Sequence, residues 1–431
     1  MKSALVWFKT DLRLHDNETL VRAVEQSDEI IPVYCFDDSH YTTTSFGFKK
    51  TGSYRAQFLL ESLIDLDKNL RAIGSGLIVV KGKPEEKIIE LVKKYNIEKV
   101  FAKEEIADEE LQTQALVAKE LLKNNCSLET FNTTTLYDVN DLPFSIERLP
   151  DVFTSFRKQV EKESNIRAVF AKPTRINSPQ IEALVLPDLK QLGLENNAMD
   201  SRAVLNFKGG ETEAWQRLNH YFFNSKSLST YKETRNGMVG ADYSSKFSAW
   251  LAMGCISAKS IHAEVQQYEK QIVANESTYW LVFELLWRDY FQFVMRKFGH
   301  LLFLKKGIKN TTLPKNNHYA KLFEKWKNGV TGNDFIDANM LELKLTGFMS
   351  NRGRQNVASY LCNDLSLDWR YGAAYFEEQL IDYDVCSNWG NWAYLAGVGN
   401  DPRSNRVFNI DKQANDYDNC KIFRNLWLSK N

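Results

Sequence analysis

ALVWFKTDLRLHDNETLVRAVEQSDEIIPVYCF, residues 4–36, sets two short β-rich runs, ALVWF (4–8) and EIIPVYCF (29–36), on either side of a helical stretch. Runs so apolar, with almost no polar alternation, fit strands of a parallel sheet covered on both faces. The pattern repeats in GLIVVKG (76–82), EKVFAKE (98–104) and SLETFN (127–132), again separated by helical stretches. One of these, YRAQFLLESLIDLDKNLRAIG (54–74), carries Phe58, Leu59, Leu63, Leu66 and Leu70 on one face until Gly74 and Gly76 stop it. The alternation predicts an α/β domain with a Rossmann-like parallel sheet over residues 1–132. No G-x-G-x-x-G follows the first run, which argues against the usual dinucleotide fingerprint there.

At 431 residues the chain exceeds one ordinary core and should hold two domains. Five of its nine prolines (Pro143, Pro150, Pro173, Pro179, Pro187) mark an interdomain connector, taken as residues 133–200. Residues 201–431 read as all-α, since ETEAWQRLNHYFF, SAKSIHAEVQQYEKQI, TYWLVFELLWRDYFQFVMRKFG, GRQNVASYLCNDL and WRYGAAYFEEQLID show 3.6-residue apolar spacing. Nine of the ten tryptophans fall in that region, more indole than a plain helical bundle needs.

Fifty-five basic and fifty-five acidic residues cancel, yet residues 201–431 hold 29 Lys+Arg against 23 Asp+Glu, so an anionic partner should meet the second half. The six cysteines are scattered without a CxxC pair or a His cluster, which argues against a zinc site or a disulfide framework and predicts no metal. No run approaches membrane-spanning length and the start lacks a signal-peptide pattern, so the expected location is the cytoplasm.

Three stretches could carry chemistry. In TYWLVFELLWRDYF (278–291), Trp280, Glu284, Trp287, Arg288 and Phe291 share one helical face; it either looks onto a polar, aromatic occupant or holds a Glu284–Arg288 pair at its edge. GFMSNRGRQN (347–356) groups Asn351, Arg352, Arg354 and Gln355, an anion site or a solvated helix start. TYKETRNGMVGADYSSKFS (230–248) ends in small hydroxyl residues ahead of a helix beginning near Ala249, a phosphate cradle or an ordinary Ser N-cap. A fourth, LIDYDVCSNWGNWAY (380–394), crowds aspartates, asparagines and aromatic rings together.

Taken in order, LVWFKTDLRLHDN, STYKETRNG, YWLVFELLWRDYF, FMSNRGRQNVASYL, LDWRYGAAYFEEQLIDYDVCSNWGNWAY and GVGNDPRSNRVFN resemble the photolyase/cryptochrome family, with wording nearest its cryptochrome DASH branch. The resemblance runs collinearly from about residue 3 to about residue 427. It implies an α/β antenna domain and a helical domain holding FAD in a folded conformation. By that resemblance Tyr231, Ser244, Ser245, Lys246, Phe247, Ser248 and Arg288 grip the FAD, and Arg354 and Asp382 form an ion pair against its ring system. Asp384 lines the same pocket and Asn388 faces flavin N5.

The implied activity is a blue-light-driven deoxyribodipyrimidine photo-lyase reaction, in which reduced FAD passes an electron to a cyclobutane pyrimidine dimer. Glu284, Trp287 and Asn351 match residues that hold the flipped-out dimer, and Arg235, Arg352 and Arg406 match phosphate contacts. Gln355 and Tyr394 stand where duplex-repairing relatives carry Met and Trp, which implies a preference for single-stranded DNA. Trp392 and Trp369 match the proximal and middle members of a photoreduction chain. NTTLPKNNHYAKLFEKW (310–326) has no Trp before Phe323 where relatives carry the distal member, leaving Tyr319 or another aromatic residue for that place. The antenna implied is 5,10-methenyltetrahydrofolate, held by Glu105 or, in the competing register, Glu104 of AKEEIADEE. A monomer is expected. The alternative reading is a blue-light photoreceptor that signals through flavin redox state with little repair.

Overall fold

A computed structural model of the chain describes residues 2–196, 198–309, 319–402 and 407–429. Strands β1 (Ser3–Phe8), β2 (Glu29–Phe36), β3 (Ile78–Lys81), β4 (Lys99–Lys103) and β5 (Ser127–Phe131) form one parallel sheet in the order β3-β2-β1-β4-β5. Each lies within a residue or two of its run in the sequence. The register, Ser3 to Glu29 through Phe8 to Tyr34 across β1 and β2, explains why ALVWF carries no polar residue. Ala4, Val6 and Phe8 enter the large core shared with the helical region, while Leu5 and Trp7 enter a smaller core. The smaller core is closed by Ile88 and Leu91 of helix Pro84–Tyr95 and by Val117 and Leu121 of helix Asp108–Lys123. Both faces of the sheet are thus covered, so the period of two places apolar side chains on each.

Helix Ser53–Arg71 buries Phe58, Leu59, Leu63, Leu66 and Leu70, the stripe its sequence displays. The proline-bearing stretch is less irregular than its composition implies. It carries helix Phe153–Glu163, whose Phe153, Phe156 and Val160 recur at i, i+3 and i+7 and are buried. Beyond it the long helix Glu276–Phe298 starts at a capping box between Asn275 and Thr278 and ends at Gly299, φ +50°. Helices Glu211–Asn219 and Asn351–Ser359 each run on into one wide turn, 220–224 and 360–364, which is why their apolar periodicity outlasts the α-helix.

Buried polar contacts weld the sheet to the helices. Arg13, 2% exposed, donates to the carbonyls of Gly254 (2.9 Å), Asp16 (2.8 Å) and Thr133 (2.8 Å). The fully buried Asp289 accepts from the backbone N–H groups of Leu136 and Tyr137 at 2.9 Å each. Gly254 completes the seam: its φ is +66°, and a Cβ there would lie 2.1 Å from the Thr10 carbonyl oxygen. Gly254→Ala is therefore expected to cost about 3 kcal/mol, read as a lowered denaturation midpoint with an unchanged m-value.

Candidate active site

The Glu276–Phe298 helix, the 231–248 loop, helix Asn351–Ser359 and helix Val385–Leu395 enclose a cavity of about 440 Å³ with an adjoining lobe of about 100 Å³. That is within the roughly 300–1,000 Å³ of cofactor-sized pockets. The sequence-predicted residues Tyr231, Arg235, Ser244, Ser245, Lys246, Phe247, Ser248, Glu284, Trp287, Arg288, Asn351, Arg354, Gln355, Asp382, Asp384 and Tyr394 all line the main chamber. Asn388 and Trp392 line the lobe. Arg352 and Trp369 stand behind the walls, and Arg406 lies outside the described residues.

Two ion pairs organise the chamber. Arg354 Nη2 donates to both carboxylate oxygens of Asp382 at 2.9 and 2.8 Å, with the Asp382 side chain 1% exposed. Arg235 Nη1 meets Glu284 Oε1 at 2.5 Å. The i,i+4 pairing open to Glu284 is not formed, because Arg288 instead donates to the carbonyls of Thr134 (2.6 Å) and Leu251 (3.4 Å). Burial raises the Glu284 carboxyl above its ordinary range, against the pull of the Arg235 charge. Asp384 caps helix Val385–Leu395 by accepting from Ser387 N at 2.7 Å, and its other oxygen accepts from Gln292 Nε2 at 3.2 Å.

The 244–248 run is not an ordinary Ser cap. The short helix Ser248–Ala252 has Phe247 at its N-cap position, without a side-chain cap bond. Lys246 is held at φ +62° and 3% exposed, and its Nζ has no hydrogen-bond partner. Nor have Tyr243 OH and both carboxylate oxygens of the fully buried Glu342. Burial pushes Glu342 up to about 8 and drives Lys246 well below the lysine range. The unspent Lys246 amine and Tyr243 hydroxyl, in a chamber with serine and arginine walls, fit a large, polar, anionic occupant.

In the lobe, Asn388 Nδ2 donates to the Ala373 carbonyl at 3.1 Å, which fixes the amide and leaves its carbonyl oxygen as the acceptor. Trp392, on helix Val385–Leu395, packs against the first turn of helix Trp369–Gln379; a Cβ at Gly372 would come within 2.3 Å of its Cη2. Trp369 starts that turn and donates Nε1 to the Lys305 carbonyl at 3.0 Å. Trp287 stacks on Phe153 at 3.7 Å between centroids, with interplanar angle 11°, and meets Tyr394 edge-on at 6.1 Å. Arg352 bonds Gln355 Oε1 (2.8 Å) and Asn236 Oδ1 (3.0 Å), tying the two polar segments behind the rim.

A second cavity of about 220 Å³ lies between sheet and helices, lined among others by Trp7, Lys9, Tyr34, Lys103, Glu105, Tyr383 and Asp384. Asp384 and Arg288 line both chambers and so form part of the wall between them. The two registers for the acidic residue separate cleanly. Glu105 lines this cavity and pairs with Lys9 (2.9 Å) and Lys103 (3.1 Å), whereas Glu104 turns away to Arg296. Burial alone would raise the Glu105 carboxyl, but the Lys103 and Lys9 charges outweigh it and hold it at about 2. Its stabilisation is therefore complete above the unfolded-state carboxylate pKa of about 4.3 and lost as pH falls toward about 2. Glu105→Gln leaves two buried ammonium groups short of a partner; it should cost about 3 kcal/mol near neutrality and flatten the loss between those two pH values, measured by urea unfolding.

Sequence reasoning missed Phe153, Tyr243, Gln292 and Asn391, all of which line or shape the chamber. Only Phe153 had a usable signal, the i, i+3, i+7 spacing of its helix.

The chain, a parallel sheet joined to a helical region around one polar chamber, is of the photolyase type. Family models described as DNA photolyase and as FAD binding domain of DNA photolyase match residues 4–178 and 280–430. Within that class the chain belongs to the cryptochrome DASH family. It is 50% identical over 428 residues to a cryptochrome DASH of Gloeobacter violaceus, covering 99% of this chain and 85% of the relative. It is 48% identical to the chloroplastic/mitochondrial cryptochrome DASH of Arabidopsis thaliana, covering 99% and 75% of the two chains. The crystal structure of a Synechocystis cryptochrome superposes with a TM-score of 0.96 at 47% identity, covering 99% of this chain and 89% of that one. This chain is accordingly a flavoprotein with an FAD-binding helical region.

Proposed function

We propose that the chain is a light-driven lyase that splits cyclobutane pyrimidine dimers, with single-stranded DNA as its preferred substrate. The supporting observation is that Glu284, Trp287, Asn351 and Tyr394 share one chamber with Arg354, Asp382 and the serine run. A flipped-out lesion and the flavin would then meet without an intervening wall. When bound and reduced, FAD supplies one electron to the dimer under blue light and takes it back once the ring has opened.

The serine run and Lys246 hold the phosphates, whose charge favours the protonated form of the amine that burial alone disfavours. Arg354 and Asp382 orient the ring system, and the fixed Asn388 carbonyl oxygen accepts a hydrogen bond at N5 without adding charge. Trp287, steadied by Phe153, offers an apolar face to the dimer. Glu284 meets a dimer carbonyl, its raised carboxyl pKa favouring a proton that can be shared with developing negative charge. Arg235 first has to leave Glu284, and a DNA phosphate is the anion that draws it away. The polar rim at Gln355 and Tyr394 grips a base weakly, and a base in a single strand costs less to bring out, by a few kcal/mol.

Around this site the reading divides the chain into an antenna domain (1–132), a connector (133–200) and a catalytic domain (201–431). Glu105 holds a 5,10-methenyltetrahydrofolate antenna in the second cavity, Trp392 and Trp369 carry photoreduction, and the protein acts as a cytoplasmic monomer. Among the described residues no helix is long and apolar enough to cross a membrane. The Arg235–Glu284 contact favours one rival, a blue-light receptor signalling through flavin redox state, because it occupies the lesion-facing carboxylate.

Binding in the dark separates the two. Fluorescence anisotropy with FAD-loaded protein should show tighter binding to a dimer-bearing single strand than to the same strand undamaged or in duplex. Arg235→Ala and Arg352→Ala should each lower the salt slope by about 1. Equal affinity for damaged and undamaged strands contradicts the lyase reading.

A further inference from the structure

Trp389 has no part in the chemistry above, yet its ring meets that of Trp369. The two indoles meet edge-on with centroids 5.7 Å apart, and Trp389 is only 5% exposed. Its Nε1 donates to Tyr383 OH at 3.2 Å and Glu377 Oε2 at 3.3 Å. Phe303 closes another side at 5.0 Å. Tyr383 lies under the Arg55 guanidinium, 4.4 Å from its ring centroid, and both Tyr383 and Glu377 line the second cavity. An unbroken line of contacts thus leads from Trp369 through Trp389 to a phenol beside a carboxyl group.

We propose that Trp389 is an electron-relay residue, passing the oxidising equivalent from Trp369 to Tyr383. The inference rests on the reading of Trp392 and Trp369 as the start of the photoreduction path. The oxidant is light-excited, oxidised flavin, which takes one electron from Trp392. Trp392 is refilled from Trp369, Trp369 from Trp389, and Trp389 from Tyr383. The Tyr383 O–H bond then breaks and its proton passes to the Glu377 carboxylate, which shares the Trp389 Nε1–H with the phenol oxygen. The balance is one electron delivered to the flavin, one neutral tyrosyl radical and one protonated carboxyl group. Proton loss makes the charge separation persistent, since the electron can return only when the proton does. Arg55 over the ring opposes a cationic radical there, which favours the neutral, deprotonated form.

Tyr383 also borders the smaller lobe, so direct oxidation by the flavin is the competing route. Transient absorption with electron paramagnetic resonance on FAD-loaded, oxidised full-length protein tells them apart. The wild type should give a long-lived tyrosyl radical. Trp389→Phe should lose it and return to the ground state faster, while Tyr383→Phe should leave a tryptophan radical in its place. A tyrosyl radical of unchanged yield in Trp389→Phe, or one surviving in Tyr383→Phe, overturns the relay. Trp392→Phe is the control for the underlying reading: loss of all aromatic radicals there, with Trp389→Phe unchanged, rejects the relay and leaves the entry through Trp392 intact. If Trp389→Phe binds no FAD, Trp369→Phe decides: the relay predicts loss of the tyrosyl radical there, and a tyrosyl radical of unchanged yield overturns it.

Discussion

Asp382→Ala should yield a protein that does not retain FAD and is about 3–5 kcal/mol less stable. The Asp382 side chain is 1% exposed and takes both its hydrogen bonds from one Arg354 nitrogen, so its removal leaves a guanidinium facing the chamber without its counter-charge. Arg354 keeps one anchor, Nε to the Met349 carbonyl at 2.9 Å, which holds the side chain but does not neutralise it. Asp382→Asn preserves the shape and one acceptor, and should fall between wild type and Asp382→Ala in both respects. The flavin absorbance of purified protein per mole of chain, followed by urea unfolding, checks the prediction. An Asp382→Ala protein with full flavin would mean that the Arg354–Asp382 pair braces the helices and does not seat the cofactor.

Glu284→Gln should retain flavin yet lower dimer splitting by about 10²-fold, the usual size of one lost electrostatic contact in a transition state. Glutamine keeps the volume and a hydrogen-bonding amide, but it cannot share a proton with a carbonyl oxygen that gains negative charge. The pH dependence has a defined sign. Because burial raises the Glu284 carboxyl above its usual range, the protonated form is present at low pH and lost as pH rises through that raised value. Splitting in the wild type should therefore decline on the alkaline side of that value, and the Gln variant should lack the step. Single-turnover rates against pH, with DNA saturating, measure it.

The α/β sheet was legible because a parallel strand covered on both faces has to be apolar throughout, and ALVWF and EIIPVYCF can hardly be read otherwise. The long helices were legible by period, with Phe58 to Leu70 as the plainest case. The 133–200 stretch was read by its prolines, and that composition hid Phe153, whose ring turns out to steady Trp287. Pairing was the part beyond the sequence. Residues four apart on a helix, such as Glu284 and Arg288, are offered to each other by local geometry, but Arg235 from 49 residues away takes Glu284 and two carbonyls take Arg288. Local spacing cannot rank a neighbour against a partner that tertiary packing delivers. Glu105 against Glu104 is the same problem at one-residue resolution: strand β4 ends at Lys103, and only the turn that follows decides which carboxylate faces Lys9 and which faces Arg296. Trp389 had no role assigned from the sequence, because its contacts with Trp369, Tyr383 and Glu377 are ones that no spacing announces.

Dimer loss per absorbed photon tests the central claim most directly. Protein purified in the dark, with its flavin chemically reduced, is mixed with a single-stranded oligonucleotide bearing one cyclobutane thymine dimer and with the same lesion in duplex, then exposed to blue light. The account predicts restored thymines in the single strand, much slower restoration in the duplex and none in the dark. Intact dimer in both substrates after illumination of fully flavin-loaded, reduced protein would contradict it.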